Sequence, residues 1–370
     1  MPDKSRPGIA FVVAGLGAGG AERVIALLAS AFVDDGRAVT VIAFDREDDP
    51  VYHDFDPGVR LLRLGGQPRG AASVVGRVRR LRAVLRAERF GVVISFLTKI
   101  NVVTLLAMTG LGVPVIACER NNPQRQAGHP AWQFLLHRLY PRAAAIVLQT
   151  EASRACLPAA VARAANVIPN PVAVFGGVAN ESTRTLVAVG RFEHQKGFDL
   201  LLPAFAIVAQ NQPEWRLAIW GDGPLRDAIA AQTRALGLEA RVTLPGLSKT
   251  PGGWLAGAGA FVLSSRHEGF PNALGEAMAA GLPVVAFDCP FGPAEMICND
   301  VNGLLVADGD AAALAAAMAR LLGDAELRLR LGAAARLSAR NFAPEAIFGQ
   351  WHALEAGVRS GGVLPVGRHH

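Results

Sequence analysis

The stretch Arg266-His267-Glu268-Gly269-Phe270-Pro271-Asn272-Ala273-Leu274-Gly275-Glu276 decides the fold of this chain. The apolar run Ala260-Phe261-Val262-Leu263 precedes it, and small and apolar residues from Ala277 onwards follow it. This order predicts a buried strand, a loop with glycine and proline, and then a helix. The amides at a helix start attract phosphate, and side chains in a helix lean back towards its start. We therefore expect Glu268 and Glu276 to lie at one phosphate-binding loop.

A second loop of the same half carries two cations. Arg191 and Lys196 lie between Gly190 and Gly197, after a predicted strand and before a predicted helix. Cationic groups at such a turn hold a diphosphate and stabilise a departing anion. With the two glutamates they match a nucleotide sugar, in which a diphosphate joins two polyhydroxylated rings. Read alone, the loop also fits solvated surface cations.

Apolar strands alternate with helices along the whole chain. Continuous apolar strands in this arrangement predict parallel sheets covered on both faces. Two such blocks predict an α/β fold with two doubly wound, Rossmann-like domains that face each other across a cleft. The predicted strands are 9–13, 39–44, 92–95, 113–117 and 145–148 in the first block, and 185–190, 215–220, 241–244, 261–264, 283–287 and 303–306 in the second.

The boundary between the blocks is predicted at the proline-rich stretch 168–173. We predict an acceptor-side domain over residues 1–172 and a nucleotide-sugar-binding domain over residues 173–343. Helices are expected over 311–339, with Asp310 as a cap. A last helix at about 344–357 is expected to pack back on the first domain, and 358–370 to form a disordered tail.

Composition limits the class of protein. The 370 residues are 51% hydrophobic and 18% charged, with a net charge of +6, which is typical of a folded globular protein. The four cysteines show no metal-binding spacing, no membrane-spanning run is found, and the first residues lack the apolar core of a secretory signal. We therefore predict a cytoplasmic protein without a structural metal.

A basic amphipathic segment lies in the first block. Arg77, Arg79 and Arg80 belong to a group of arginines between residues 69 and 89, where valines and leucines recur at helical spacing. Two interpretations stay open, a surface helix with solvated arginines and a helix that docks on anionic lipid or lipid-linked phosphate. The second would place the protein at the cytoplasmic face of the inner membrane. Because no aromatic residues alternate with the arginines, we expect no nucleic-acid partner.

The first predicted strand is followed by Gly15, Gly17 and Gly20, which fit the pattern G-x-G-x-x-G. With Asp45 at the end of the next strand, they favour an alternative function, an NAD(P)-dependent oxidoreductase. Such an enzyme would leave the cations and glutamates of the second block without a role. The same glycines also let the backbone approach a phosphate or a sugar.

Two polar turns follow later strands of the first block. Arg120 and Asn121 are candidates for contact with a transferred sugar or an acceptor phosphate, with a capped polar turn as the alternative. Thr98, Lys99 and Asn101 are weaker candidates for the same pocket.

Together these motifs resemble a known family. Gly17-Ala18-Gly19-Gly20-Ala21-Glu22, Gly190-Arg191-Phe192 with Lys196-Gly197, Gly221-Asp222-Gly223-Pro224 and the pair Glu268 and Glu276 are similar to motifs of retaining glycosyltransferases of the GT-B fold, family 4. The resemblance extends from about Ile9 to Trp351. The segments Gly19-Gly20-Ala21-Glu22-Arg23 and Glu119-Arg120-Asn121 look most like those of bacterial members that extend lipid-linked or surface glycans.

The resemblance implies a role for each motif. Arg191 and Lys196 would hold the diphosphate and stabilise the leaving group, Glu268 would contact the transferred sugar, and Glu276 would bind ribose. The remaining donor-binding residues implied are Gly17, Gly19, Gly20, Gly190, Gly269, Phe270, Asn272, Ala273 and Leu274.

The expected reaction is transfer of a hexose or N-acetylhexosamine from a nucleoside-diphosphate sugar, UDP-linked, with retained configuration. The expected acceptor is a lipid-linked or cell-surface glycan. We expect no cofactor and no metal requirement, because cations and a helix start can neutralise the leaving group. A binding module of the same fold without turnover is a third hypothesis, which the intact set of charged residues disfavours.

Overall fold

The computed structural model describes residues 7–17, 19–65, 71–120, 130–175 and 183–361. The chain forms two compact units. The first contains the described residues up to Pro171 and those from Glu345 onwards, and the second contains Val172–Pro344. Each unit is built on one parallel sheet with helices packed against it.

The described part of the first unit contains a seven-stranded parallel sheet. Its strands are β1 (Gly8–Val13), β2 (Val39–Ala43), β3 (Val59–Arg63), β4 (Phe90–Phe96), β5 (Val115–Cys118), β6 (Ala145–Leu148) and β7 (Ala165–Val167). Their order is β3-β2-β1-β4-β5-β6-β7. The chain adds strands on one side of β1 and then crosses to the other side, which is the doubly wound arrangement.

The second unit repeats this arrangement with six parallel strands in its described residues. The strands are β8 (Thr185–Val189), β9 (Arg216–Trp220), β10 (Val242–Gly246), β11 (Ala260–Leu263), β12 (Val284–Asp288) and β13 (Leu304–Ala307). Their order is β10-β9-β8-β11-β12-β13, so the direction of winding changes between β8 and β11. The predicted class, two Rossmann-like α/β domains, is confirmed.

Helices connect the strands of both units. In the first unit they are α1 (Gly20–Asp34), α2 (Ala71–Ala87), α3 (Thr98–Met108), α4 (Pro130–Leu139), α5 (Ala159–Ala164) and α12 (Pro344–Arg359), the last of which begins one residue before the unit boundary. In the second they are α6 (Phe198–Asn211), α7 (Arg226–Ala235), α8 (Asn272–Ala279), α9 (Pro293–Met296), α10 (Ala311–Gly323) and α11 (Ala325–Ala339). Short 3₁₀ turns lie at Tyr140–Arg142, Ala152–Cys156, His194–Lys196, Gly253–Leu255 and Arg340–Phe342.

Aspartates define where α10 and α11 begin. The Asp310 carboxylate accepts the amide of Ala313, and the Asp324 carboxylate accepts the amide of Leu327, both at 2.9 Å. Each bond satisfies an amide that the first turn of a helix leaves without a partner. The predicted cap at Asp310 is confirmed.

The last helix packs on the sheet of the first unit. Ile347, Trp351 and Leu354 are buried in the same cluster as β1 and β4, and Glu355 pairs with Arg37 at 2.9 Å. The helix continues to Arg359, which also pairs with Glu355, so the predicted start of the tail at residue 358 was too early. Residues 362–370 lie outside the described part.

The sequence missed β3 and β7, the two edge strands of the first sheet. Strand β3 is partly exposed and carries two arginines, and β7 has only three residues. Neither shows the continuous apolar run that marks a strand buried on both faces. Within the described residues, no helix is both long enough and apolar enough to cross a membrane.

Candidate active site

The strongest candidate site lies where the winding of the second sheet reverses. Residues 190–197 follow β8, and residues 264–271 follow the neighbouring strand β11. In open parallel sheets this point is where ligands bind, because the loops on either side diverge and leave a crevice. Both loops that the sequence singled out are therefore placed at one position of one sheet.

Lys196 and Glu268 meet between these two loops. The Lys196 ammonium donates to Glu268 Oε1 at 2.7 Å, and the side chains are 21% and 7% exposed. The Ser265 hydroxyl donates to the same oxygen at 2.6 Å. The predicted cation and the predicted carboxylate are thus in direct contact, and a hydroxyl fixes the carboxylate.

Further hydrogen bonds join the two loops. Arg266 N donates to Gln195 O at 2.8 Å, and Ser264 Oγ donates to Lys196 O at 2.9 Å. Arg266 also forms a bidentate pair with Asp199 at 2.7 and 2.8 Å. This pair lowers the pKa of Asp199 through hydrogen bonding and raises that of Arg266. The loops therefore form one preorganised structure.

Two glycines make this approach possible. Gly197 has φ +64°, and a Cβ there would lie 2.0 Å from the carbonyl oxygen of Ser264. At Gly190 a Cβ would lie within 3.0 Å of the Lys196 side chain, which packs along the bare backbone. Only glycine fits at position 197, whereas a side chain at position 190 would displace the Lys196 stem.

Helix α8 begins directly after the second loop. Its first residue, Asn272, follows Pro271, and no side chain caps this end. The first amides of a helix point outwards and carry the positive end of its dipole. Glu276 is in the second turn and is only 4% exposed. Among the other predicted donor residues, Phe270 is buried against Phe342, whereas Gly269 and Ala273 are half-buried and Leu274 is in the core.

Arg191 differs from Lys196 in its surroundings. Its side chain is 75% exposed and lies 3.5 Å from Glu193. An exposed ion pair of this kind contributes little to stability. The guanidinium can therefore exchange this partner for a ligand at small cost.

The glycine-rich loop after β1 is held by its neighbours in the first unit. Leu16 N donates to Asp45 Oδ2 at 2.9 Å, Tyr52 N donates to Leu16 O at 3.0 Å, and His53 Nε2 lies 3.1 Å from Gly19 O. Burial lowers the pKa of His53 and so favours its neutral ring. Gly17, Gly19 and Gly20 are exposed or half-buried, and Gly20 begins α1.

The polar turn after β5 divides between two faces of the first sheet. Glu119 is 2% exposed and accepts hydrogen bonds from Thr98 at 2.7 Å, from Asn101 at 3.4 Å and from the Tyr140 hydroxyl. Burial raises the pKa of Glu119 to about 8. Thr98 and Asn101, predicted as pocket residues, are instead buried partners of this carboxylate.

Arg120 points away from that network. It is 7% exposed, and its Nη1 donates to Asn170 Oδ1 at 2.7 Å. Its guanidinium lies over the rings of Phe96 and Trp351 at 4.8 and 5.4 Å. Lys99 is exposed in the first turn of α3. Asn121 lies outside the described residues.

The three arginines predicted for lipid contact have different surroundings. Arg77 is half-buried with its guanidinium 5.5 Å from the Phe44 ring, and Arg80 donates to Leu64 O at 2.7 Å. Arg79 is exposed, as is Arg86 on the same helix. Of the three candidates, Arg77 is therefore held against the sheet layer, and Arg79 is exposed.

Sequence reasoning missed several residues of these sites. Ser265 and Asp199 were not predicted as site residues, because serine and aspartate in loops most often form turns and caps. Asn170 and Tyr140 are distant in sequence from the side chains they contact, so no local pattern indicates them. The double serine before Arg266 was the one local signal.

Two family models match the chain. "Glycosyl transferases group 1" matches residues 174–338, and "Glycosyl transferase 4-like domain" matches residues 19–172. Together the matches include all but one of the residues from 19 to 338.

Two glycan-related bacterial proteins are similar in sequence to the chain over much of its length. An exopolysaccharide phosphotransferase of Streptomyces coelicolor is 34% identical over 241 residues, which are 64% of this chain but only 25% of that protein. The chain thus spans about a quarter of the length of that relative. An N-acetyl-D-galactosaminyltransferase of Campylobacter jejuni, named for a GalNAc-containing diNAcBac-PP-undecaprenol substrate, is 26% identical over 95% of this chain and 99% of its own length.

Solved structures share the fold. Sucrose-phosphate synthase of Thermosynechococcus elongatus has a TM-score of 0.84 at 22% identity and covers 96% of this chain and 100% of its own. Anabaena HepE in complex with UDP has a TM-score of 0.76 at 20% identity and covers 94% and 98%. At these identities the likeness establishes the arrangement of the backbone.

Proposed function

The chain belongs to the group 1 glycosyltransferases of the GT-B fold, family 4 type, and on this premise we propose its reaction. The enzyme transfers a hexose or N-acetylhexosamine from a UDP-linked donor, with retention of anomeric configuration. The acceptor is a hydroxyl of a lipid-linked or cell-surface glycan. The proposed reaction uses no cofactor and no metal ion.

One observation carries this proposal, the contact of Lys196 with Glu268 beside the start of α8. The ammonium and the helix amides supply positive charge at one end of one crevice. The carboxylate supplies an acceptor for sugar hydroxyls at the same place. A diphosphate bound to a sugar needs both groups within a few ångströms of each other.

In the proposed complex the donor diphosphate lies at the amides of Ala273 and Leu274, since the Asn272 amide already donates to Phe270 O at 2.9 Å. Lys196 and Arg191 neutralise the charge that develops as the diphosphate departs, which is where electrostatic stabilisation acts most strongly. Both known contacts of Glu268 end on Oε1, so its second oxygen can accept a hydroxyl of the transferred sugar. Glu276 binds the ribose hydroxyls.

Retention follows from attack on the same face that the leaving group occupies. The acceptor oxygen forms its bond to the anomeric carbon as the bond from that carbon to the phosphate oxygen breaks, and the electron pair leaves with UDP. The acceptor proton passes to a phosphate oxygen of the leaving group. Glu268 suits hydroxyl binding better than nucleophilic attack, because a cation and a hydroxyl already stabilise its charge.

The relatives support the choice of substrates. The Campylobacter relative is named for a polyprenyl-diphosphate-linked acceptor and for transfer of an N-acetylhexosamine, and the Anabaena structure contains UDP. The name of the first fits a glycan acceptor, and the UDP in the second fits a nucleoside-diphosphate donor. We extend this chemistry to the present chain as part of the proposal.

We also propose that the enzyme works at the cytoplasmic face of a membrane, through the exposed arginines of α2. Arg79 and Arg86 are available for anionic lipid, whereas Arg77 and Arg80 hold neighbouring groups. Attraction of this kind falls off within a Debye length and therefore weakens with salt.

A nucleotide-sugar panel tests the reaction. UDP, UDP-sugars, GDP-sugars and NAD(H) are compared by thermal shift, and the product of the preferred donor is analysed by NMR for its anomeric configuration. We expect stabilisation by UDP and its sugars and an α-linked product from an α-linked donor. Stabilisation by NAD(H) alone would favour the oxidoreductase, and an inverted product would exclude the proposed mechanism.

A further inference from the structure

Arg120 is a buried cation whose side chain is fixed in place. Asn170 accepts from its Nη1 at 2.7 Å, and the aromatic rings of Phe96 and Trp351 lie against the guanidinium. Asn170 also accepts from Gln149 Nε2 at 2.7 Å, which holds the amide in position. Burial lowers the pKa of Arg120, but a guanidinium stays protonated in proteins.

Among the described residues, the remaining edge of the guanidinium has no oxygen or nitrogen partner, and the Cys118 thiol that interacts with Arg120 is kept neutral by burial. Arg120 Nε and Nη2 are both buried and unpaired. These two N–H groups lie side by side on one edge of the planar group, in the spacing that grips two oxygens of a carboxylate or phosphate. A charged fork left unpaired in the interior is costly, so binding of an anion at this edge is favoured.

No buried carboxylate of the described first unit serves as the counter-ion. Glu119 is adjacent in sequence, but side chains alternate along extended backbone, and it contacts Thr98 and Tyr140 on the other face. Glu355 is paired with Arg37 and Arg359. The sequence from 121 to 129 contains no aspartate or glutamate.

We propose that Arg120 binds two oxygens of an oxyanion, a phosphate carried by the acceptor. The anion site itself is inferred from the geometry of the first unit. Its assignment to the acceptor rests on the proposed function, in which the donor diphosphate occupies the second unit beside Lys196. Because Nε and Nη2 are enclosed, binding includes a local displacement of surrounding side chains, which pairing of the charge favours.

The test compares four probes: farnesyl diphosphate, inorganic pyrophosphate, glucuronate and UDP. Binding is measured by calorimetry for the wild type and for Arg120→Lys, which keeps the charge but removes the fork. Arg37→Lys is the matched control, because it changes another buried arginine of the same unit whose partner is known. Lys196→Met removes a cation of the proposed donor site.

A direct measurement avoids the risk that a variant folds poorly. The ¹⁵N–¹H signal of the Arg120 Nε–H, assigned by its loss in Arg120→Lys, is followed in the wild type as each probe is added. We expect this signal to shift with farnesyl diphosphate. We also expect Arg120→Lys to weaken that ligand at least about tenfold, with little change in Arg37→Lys or Lys196→Met.

The outcomes separate the two proposals. Equal affinity of Arg120→Lys and wild type, or a signal that no probe moves, would mean that the fork holds only water and would overturn this inference. Response to glucuronate alone would show an anion site but would overturn its assignment to a phosphate of the acceptor. If UDP fails to bind while the Arg120 effects hold, the proposed function fails and the anion site stands.

Discussion

Replacement of Lys196 by Met separates the structural and the chemical duties of the proposed site. Methionine keeps an unbranched stem to pack along Gly190, whose bare backbone the lysine stem covers. It removes the ammonium that lies 2.7 Å from the Glu268 carboxylate. The change therefore tests the charge rather than the packing.

The structure sets the size of the expected effect. Glu268 is 7% exposed on its side chain, and after the change only the Ser265 hydroxyl still donates to Oε1. Breaking a buried ion pair costs about 3–5 kcal/mol, and the partial exposure of Lys196 reduces this to about 2–3 kcal/mol. Loss of one charge that stabilises the leaving group lowers turnover about 100-fold or more.

The double variant Lys196→Met with Glu268→Gln provides the decisive comparison. It removes the uncompensated carboxylate, so most of the lost stability should return, whereas turnover should stay low. Urea unfolding gives the free energy of unfolding, and release of UDP from the preferred donor gives turnover. If the double variant regains both, the charge of Lys196 acts only on the fold, and its role at the leaving group is refuted.

Four further predictions follow from single features. Gly197→Ala should lower the free energy of unfolding by more than about 3 kcal/mol, because a Cβ at this position would lie 2.0 Å from a carbonyl oxygen. The control Gly309→Ala also has a positive φ, +74°, but open space around it, and should cost only about 1 kcal/mol. Equal losses of stability in thermal unfolding of the two variants would contradict the steric argument. Because burial raises the pKa of Glu119 from 4.5 to about 8, its contribution to stability should be complete below pH 4.5 and decline up to about pH 8. Glu119→Gln should remove this decline when the free energy of unfolding is measured against pH. If the pH dependence of the variant equals that of the wild type, the assignment of the decline to Glu119 is rejected. Turnover should survive EDTA, and complete loss that Mg²⁺ reverses would exclude a metal-independent reaction. Charge reversal at Arg79 and Arg86 should weaken flotation with phosphatidylglycerol vesicles, and salt should weaken it further; unchanged flotation would leave α2 a solvated surface helix.

The central strands of both sheets could be predicted from the sequence because their burial on both faces leaves continuous apolar runs. All six strands of the second unit were expected, with boundaries that differ by one or two residues. The two strands that were missed, β3 and β7, lie at the edges of the first sheet, where one side of the strand has no neighbour and its composition is less constrained.

The predicted loops of the second unit met because the fold class itself brings them together. Residues after β8 and after β11 are 72 positions apart at Lys196 and Glu268, yet the reversal of winding makes their strands neighbours. Once a doubly wound sheet was expected, strand order alone made this contact a reasonable expectation. The partner of each side chain within the loop was beyond the sequence, since it depends on rotamers and on distances of less than an ångström.

The surroundings of the two charged residues in the turn after β5 could not be predicted from the sequence pattern. Glu119 and Arg120 are adjacent opposite charges in the sequence, and a local interpretation joins them or caps the turn with them. Because side chains alternate along extended backbone, Glu119 instead contacts hydroxyl and amide donors around α3. The Arg120 side chain lies on the other face, against the rings of Phe96 and Trp351. Each group is then buried without the other, so the carboxyl has a raised pKa and the guanidinium has an open fork. A carboxyl with a pKa of about 8 is mostly protonated at neutral pH, so the uncompensated buried charge of this turn is that of Arg120, and an anion is the partner that this charge lacks.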